Sequence, residues 1–209
     1  MFMRITKCWW LGLVALLAWA GEAAAQDFRG QDLAGTVFED FDFSGVDFSD
    51  SDLTEALFVR CDLSGANFSD ANLSFALFAD SNLQGATLTG SQAEVGPAFV
   101  GSDLRDAVAA PVQWRQAIIR VSDCSGIDFT ASGLIDLRIE DSVCQDANFF
   151  LIDGAASVYP GSDLTRARFE QAIVVDADFA GTNLTQANFV NADIQGASFL
   201  SAVTDGIQF

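Results

Sequence analysis

Histidine is absent from this 209-residue chain, and lysine occurs once, at Lys7. Both absences bear on chemistry. Without His there is no commonplace general base and no imidazole metal ligand. Without Lys there is no amine for a Schiff base. A Ser-His-Asp hydrolytic triad is excluded. Positive charge is scarce too, with 10 basic residues against 29 acidic ones and a formal net charge of −19. Such a surface repels nucleic acid and anionic membrane and suits a basic partner or divalent cations; it also keeps a protein dispersed. Long apolar runs are missing after the first twenty residues, so no later segment is expected to cross a membrane as a helix. What the chain does have is apolar bulk, half of its residues including 19 Phe. That is enough for one domain with a sizeable core and is not the composition of a disordered acidic tail.

Residues 1–25 read as a cleavable secretory signal peptide. Arg4 and Lys7 form a positive start, Cys8–Ala20 is a 13-residue apolar run, and Ala23-Ala24-Ala25 is a small-x-small cleavage pattern. Cleavage is expected between Ala25 and Gln26. The run is short for a span, which needs about 20 residues. Residues 26–209 are then one exported domain, periplasmic or secreted and bacterial, without membrane attachment once the signal is removed. That domain carries eight Arg, no Lys and no His.

The domain is organised by a period of five. From Phe28 the third residue of each block is Leu or Phe at 28, 33, 38, 43, 48, 53, 58, 63, 68, 73, 78, 83 and 88 without insertion. We call this position the centre. Two residues earlier the chain is small or β-branched in ten of these thirteen blocks, and the residue just before the centre is Asp or Asn in nine. Fifteen of the 19 Phe sit at centres. A period of five is neither helical nor that of a simple strand, and a short fixed period means a solenoid. Reading every twentieth residue gives like side chains: Phe38, Phe58, Phe78, and again Phe129, Phe149, Phe169, Phe189, Phe209. Equal shapes stack without voids, so four fives make one coil of square section. Centres and the small residues two before them point inward.

The blocks Ala66-Asn67-Phe68, Ala71-Asn72-Leu73, Ala187-Asn188-Phe189 and Ala192-Asp193-Ile194 resemble the pentapeptide-repeat family, whose pattern is A(D/N)LxX. The resemblance covers essentially all of 26–209. It implies an all-β fold, a right-handed quadrilateral parallel β-helix of about nine coils. It also implies a function to weigh, because some cytoplasmic members are acidic rods that resemble B-form DNA and bind DNA gyrase, giving fluoroquinolone resistance. Charge and rod shape agree with that alternative, and the export signal opposes it.

Departures from the rule mark the candidate contact residues. The pattern fails over 89–98 and resumes at Phe99, eleven residues after Leu88, so one extra residue must be absorbed near Gly96 and Pro97. Residues 105–120 keep the period weakly, as a coil or as a short helical excursion, and Trp114 is crowded inside a narrow square unless a neighbouring centre is small. Arg105, Trp114, Arg115 and Arg120 gather there in a chain poor in positive charge, as a contact patch or as local ion pairs. Gly154 is a centre without a side chain and is expected to leave a void or pinch the wall. Phe209 ends the sequence at a centre, so the C-terminal end is expected to be covered by a second copy or by a partner.

Cys124 and Cys144 are centres twenty residues apart, within disulfide reach on adjacent coils; a bridge and two buried thiols are both compatible with the pattern. Cys61 holds a small inward position and reads as core. Asp32 with Asp52, and Asp42 with Asp62, share columns; they either bind nearby amides or hold Ca²⁺. No nucleophile–base pair, phosphate loop or metal-ligand spacing is present, so no cofactor, metal or catalytic residue is expected. A glycan-active β-helix enzyme finds no protruding loops to build a cleft. The chain reads as an exported, non-catalytic structural or protein-interaction module. Its partner is an unknown protein or a second copy meeting the C-terminal end, with no direct binding to nucleic acid.

Overall fold

The computed structural model describes residues 27–209; the signal-peptide segment and its cleavage point lie outside the described residues. Each block of five closes one corner of a coil. The N–H of centre Phe28 donates to the Asp47 carbonyl of the next coil at 2.8 Å, and Gly30 does the same to Ser49 at 2.9 Å. Gln31 N–H then donates back to the Phe28 carbonyl at 3.2 Å. That last bond is the i to i+3 bond of a turn whose third residue has positive φ, a type II corner. The left-handed residue recurs two places after the centres, and 22 of these residues are not glycine. Nine of the 22 are Asp, which tolerates this conformation better than most residues.

The Asp and Asn residues before the centres serve the same corners. Asp42, Asp62 and Asp123 each accept the backbone N–H two residues on, at 3.0 Å. On some rungs an amide meets an acid: Asn67 Nδ2 donates to Asp47 at 3.1 Å, and Asn148 Nδ2 to Asp128 at 3.0 Å. These amides lessen like-charge repulsion, but Asp32 stays stacked on Asp52, Asp42 on Asp62 and Asp103 on Asp123.

Successive coils pair in parallel along four faces. The first is the ladder Asp27, Asp47, Asn67, Thr87, Val108, Asp128, Asn148, Arg168, Asn188, Gln208. Ten rungs at about 4.8 Å make a rod roughly 43 Å long. Regular strands form on the third face, where most outward residues are apolar in the first five: β1 (Val37–Glu39), β2 (Leu57–Val59), β3 (Leu77–Ala79), β5 (Ala98–Val100), β7 (Ile118–Arg120) and the charged β8 (Arg138–Glu140). On the second face β4 (Gln92–Ala93) pairs with β6 (Gln113–Trp114). There is no helix among the described residues, so residues 105–120 complete a coil and make no helical excursion.

The core is a stack of rings. Phe38, Phe58, Phe78 and Phe99 lie 4.9–5.0 Å apart in nearly parallel planes, and neighbouring faces meet edge to face, as Phe38 meets Phe43 at 5.3 Å. Both geometries suit the aromatic quadrupole. Between the third and fourth faces the corner is wider and leaves one buried N–H without a turn acceptor. A column of serines takes it. Ser81 N–H donates to Ser102 Oγ at 3.2 Å, Ser102 N–H to Ser122 Oγ at 3.1 Å, and Ser122 N–H to Ser142 Oγ at 3.2 Å. Each hydroxyl in turn donates to a carbonyl, Ser122 to Arg120 at 2.9 Å.

The register slip falls between Ala93 and Phe99. Asn72 pairs with Gln92, twenty residues on, but Leu77 pairs with Ala98, twenty-one on. Gly96 makes this possible, because a Cβ there would stand 2.6 Å from the Ala117 Cα of the next coil. Gly154 neither leaves a void nor pinches the wall, contrary to expectation. Ile152, at the normally small inward position, fills the space, and its Cδ1 lies 2.9 Å from where a Gly154 Cβ would be.

Candidate functional site

A concavity lies on the second face, where the slip and its neighbours break the regular surface. It is an open groove of about 1110 Å³. Its floor is the column Gln92, Gln113, Gly133. Gly133 has no side chain, and the Gln113 amide occupies the place its Cβ would take. The slip borders the groove through Ala93 and Glu94. Phe75 and Leu151 stand at opposite ends, 55% and 45% exposed, both at corner residues with φ of 59°. Asp70, Glu94, Asp153 and Arg115 supply charge around the rim.

Arg115 differs from most arginines of this chain. Arg29, Arg60, Arg105, Arg138, Arg166 and Arg168 each hold a carboxylate. Among the described residues Arg115 and Arg120 form no such pair. Four of these arginines shift an aspartate they touch. Arg29, hydrogen-bonded to Asp47, holds that carboxyl down at about 2. Arg60, Arg105 and Arg166 likewise depress Asp40, Asp103 and Asp146 through side-chain hydrogen bonds.

The expected contact residues separate in space. Trp114 is not a contact residue: its side chain is 1% exposed at an inward centre, and Nε1 donates to the Ser91 hydroxyl at 3.1 Å. The space comes from Ala93, its rung partner. Nor do the three arginines form one patch. Arg105 lies beside the fourth-face ladder, holding Asp103 at 2.5 Å with Asp123 at 3.9 Å. Arg115 lies in the second-face groove, and Arg120 ends β7 on the third face. The structure joins Cys124 and Cys144, whose Cα atoms are 4.5 Å apart. Cys61 is a free, buried thiol, and burial pushes its pKa up. Phe209 is 65% exposed, with its ring 5.9 Å from Phe189. Phe75 and Leu151 escaped the sequence reading. Their signal was position: each stands two residues after a centre, where Gly and Asp predominate.

The groove holds no reactive pair. Ser74 and Ser132 are buried, and Ser74 Oγ is engaged with Asn72 at 2.8 Å. Among the described residues no group of three or more Asp, Glu or Cys is placed to hold a metal ion. What the groove offers is shape, amides, one uncommitted guanidinium and two apolar side chains.

The Pentapeptide repeats family matches residues 27–58, 56–92 and 162–199, in 8 copies. No curated protein matches the chain. Among solved structures it is similar to HetL, a pentapeptide repeat protein involved in heterocyst differentiation regulation from the cyanobacterium Nostoc sp. strain PCC 7120. That likeness has 20% identity over 90% of this chain and 92% of the other, with a TM-score of 0.41. It is similar also to trypsin-treated QnrB1, a plasmid-mediated fluoroquinolone resistance protein, at 20% identity over 88% of each chain and a TM-score of 0.42. A pentapeptide repeat protein from the Arabidopsis thaliana thylakoid lumen shares 25% identity over 69% of each chain, with a TM-score of 0.18. With the period of five, the four ladders of parallel rungs and the family match in hand, this chain belongs to the pentapeptide repeat family.

Proposed function

We propose that this protein is an exported, non-catalytic protein-binding rod whose second-face groove receives a segment of a partner with a basic surface. One observation carries the reading: Phe75 and Leu151 are large, apolar, solvent-exposed and held at positive φ. A left-handed residue other than glycine is strained by about 1–2 kcal/mol, and with about half of each side chain open to solvent, burial offsets only part of that cost. Strain kept at an exposed apolar residue points to contact. The surrounding charge of −19 steers basic partners toward the rod.

The test is to change both residues to glycine. Phe75→Gly and Leu151→Gly relieve the corner and are expected to raise stability by about 1 kcal/mol each, while abolishing retention of the partner from the exported fraction. Equal retention by the variants sinks the groove reading. N-terminal sequencing of the protein from cells tests export, with a start at Gln26 expected. The acidic rod is also the observation behind the alternative, a DNA mimic that binds gyrase. An intact Met1 in the cytosol together with inhibited supercoiling would favour that alternative.

A further inference from the structure

The third face differs from the other three in chemistry. Where they set mostly Asp, Asn or Gln before the centre, it sets Val37, Leu57, Leu77, Ala98 and Ile118, and after the centre it sets Val59, Ala79 and Val100. All eight point outward from β1, β2, β3, β5 and β7 and are partly open to solvent. The result is a flat, uncharged sheet face on a protein of net charge −19. Its ends are charged and opposite in sign. At the β1 end stands Glu39, of which Arg60 engages only Oε1. At the β7 end stands Arg120, which has no ion-pair partner among the described residues; beyond it β8 adds Arg138 and Glu140, which pair with each other.

We propose that this face is covered by a second copy of the chain, the two rods packed face to face and antiparallel about a two-fold axis that lies along β3. The rungs are evenly spaced, and β3 is the middle one of the first five strands of the six-stranded sheet. A two-fold along it sets β1 of one copy against β7 of the other and β2 against β5. It keeps residues that follow a centre opposite residues that follow a centre. Leu77 then meets Leu77 and Ala79 meets Ala79, Val59 meets Val100, and Glu39 meets Arg120 twice, once at each end. The operator that buries the apolar rows also pairs the lone arginine with the half-used carboxylate. A parallel arrangement about a two-fold along the rod would instead set Glu39 against Val37 and Arg120 against Ile118, leaving both charges facing apolar residues. The same surface meeting itself is what a two-fold interface requires. The face is about 19 Å long by strand spacing, narrow beside the ~800 Å² per partner of a standard interface, so the pair is concentration-dependent and not permanent.

Sedimentation velocity on the full chain, over a concentration series from micromolar upward, reads this directly. The expected result is a weight-average mass that climbs from one chain toward two. Leu77→Glu keeps the chain monomeric throughout, with an unchanged melting temperature as the control for folding. Arg120→Glu, a change at an exposed residue, weakens the association at least tenfold; Glu39→Arg does the same; and the double variant Glu39→Arg/Arg120→Glu restores it. A monomer at every concentration overturns the proposal. So does a dimer indifferent to Leu77→Glu, or a double variant no better than either single one.

Discussion

Ala93 and Trp114 occupy the same rung position on adjacent coils, and the indole fits because the methyl lies beside it. No other centre holds a tryptophan, and the ring also borders Phe99 and Phe129, each with centroid 6.0 Å away. The pair is therefore one packing unit. Ala93→Leu should overpack the coil and destabilise by about 1–3 kcal/mol. Trp114→Leu should destabilise as well, by opening a cavity and stripping the buried Ser91 hydroxyl of its indole donor. Together the two changes should recover part of the loss, a coupling of about 0.5–3 kcal/mol in a denaturant double-mutant cycle. Strict additivity would show that the two side chains do not share the space.

The serine column carries the wider corner between the third and fourth faces. Removing one hydroxyl leaves a buried amide without an acceptor while barely changing volume. Ser122→Ala deprives the Ser102 N–H of its partner and should lower stability by about 1–3 kcal/mol. The control is Ser51→Ala. Ser51 is buried too, but its hydroxyl donates only to the Phe48 carbonyl, which already accepts the Ser51 N–H. That change should be the milder of the two in chemical denaturation. Equal losses would mean that the hydroxyl acceptor contributes nothing.

The serine column shows where the sequence stopped being legible. A period of five and a column spacing of twenty suffice for the rod, its four faces and the inward residues, because bulk at the centre is a steric requirement repeated in every block. The same pattern makes Ser102 look like any small residue, since smallness alone satisfies it. Only pairing between coils reveals that the hydroxyl also replaces a missing turn acceptor. Gly154 misled for a related reason. Its column predicts a void, but Ile152, two positions earlier on the same coil, supplies the volume. The arginines looked clustered because sequence distance was taken for spatial distance. In a square coil a separation of five or ten residues moves a side chain to another face. Phe75, Leu151 and Val121 each break the corner rule, a signal the sequence carries but the inward pattern does not weigh. Val121, at φ 52°, is the only β-branched residue among the 22 non-glycine corner residues with positive φ.

Acid should erase one contribution in a defined window. The Asp47 carboxyl is held down at about 2 from an ordinary 3.8, chiefly by its hydrogen bond from Arg29. A depressed acid stabilises the fold above its ordinary pKa, and that stability is lost as pH falls through the folded value. The window therefore runs from about pH 4 down to about pH 2. Arg29→Gln removes the cause. Its melting temperature should lie slightly below that of the parent protein at neutral pH, and the two should converge at the acid end of the window. Because the Arg29 side chain is 58% exposed, the gap should also shrink in high salt. A gap unchanged by both acid and salt would assign the effect of Arg29 to packing.

The last expectation concerns the thiols. Cys124 and Cys144 are joined across adjacent coils, twenty residues apart in sequence, while Cys61 is free and buried. The domain without its first 25 residues should therefore yield one reactive thiol when denatured without reductant, and three after reduction. In the native state Cys61 should resist thiol reagents, because burial raises its pKa and the thiolate is the reactive form. Cross-linking a loop of this size removes denatured-state entropy equivalent to about 3 kcal/mol. Cys124→Ala/Cys144→Ala should lower stability by up to that amount, and reductant should lower the parent protein toward the variant while leaving the variant unmoved. Three reactive thiols in the unreduced denatured chain would show that the two centres pack as free cysteines, and reductant would then have no effect on either protein.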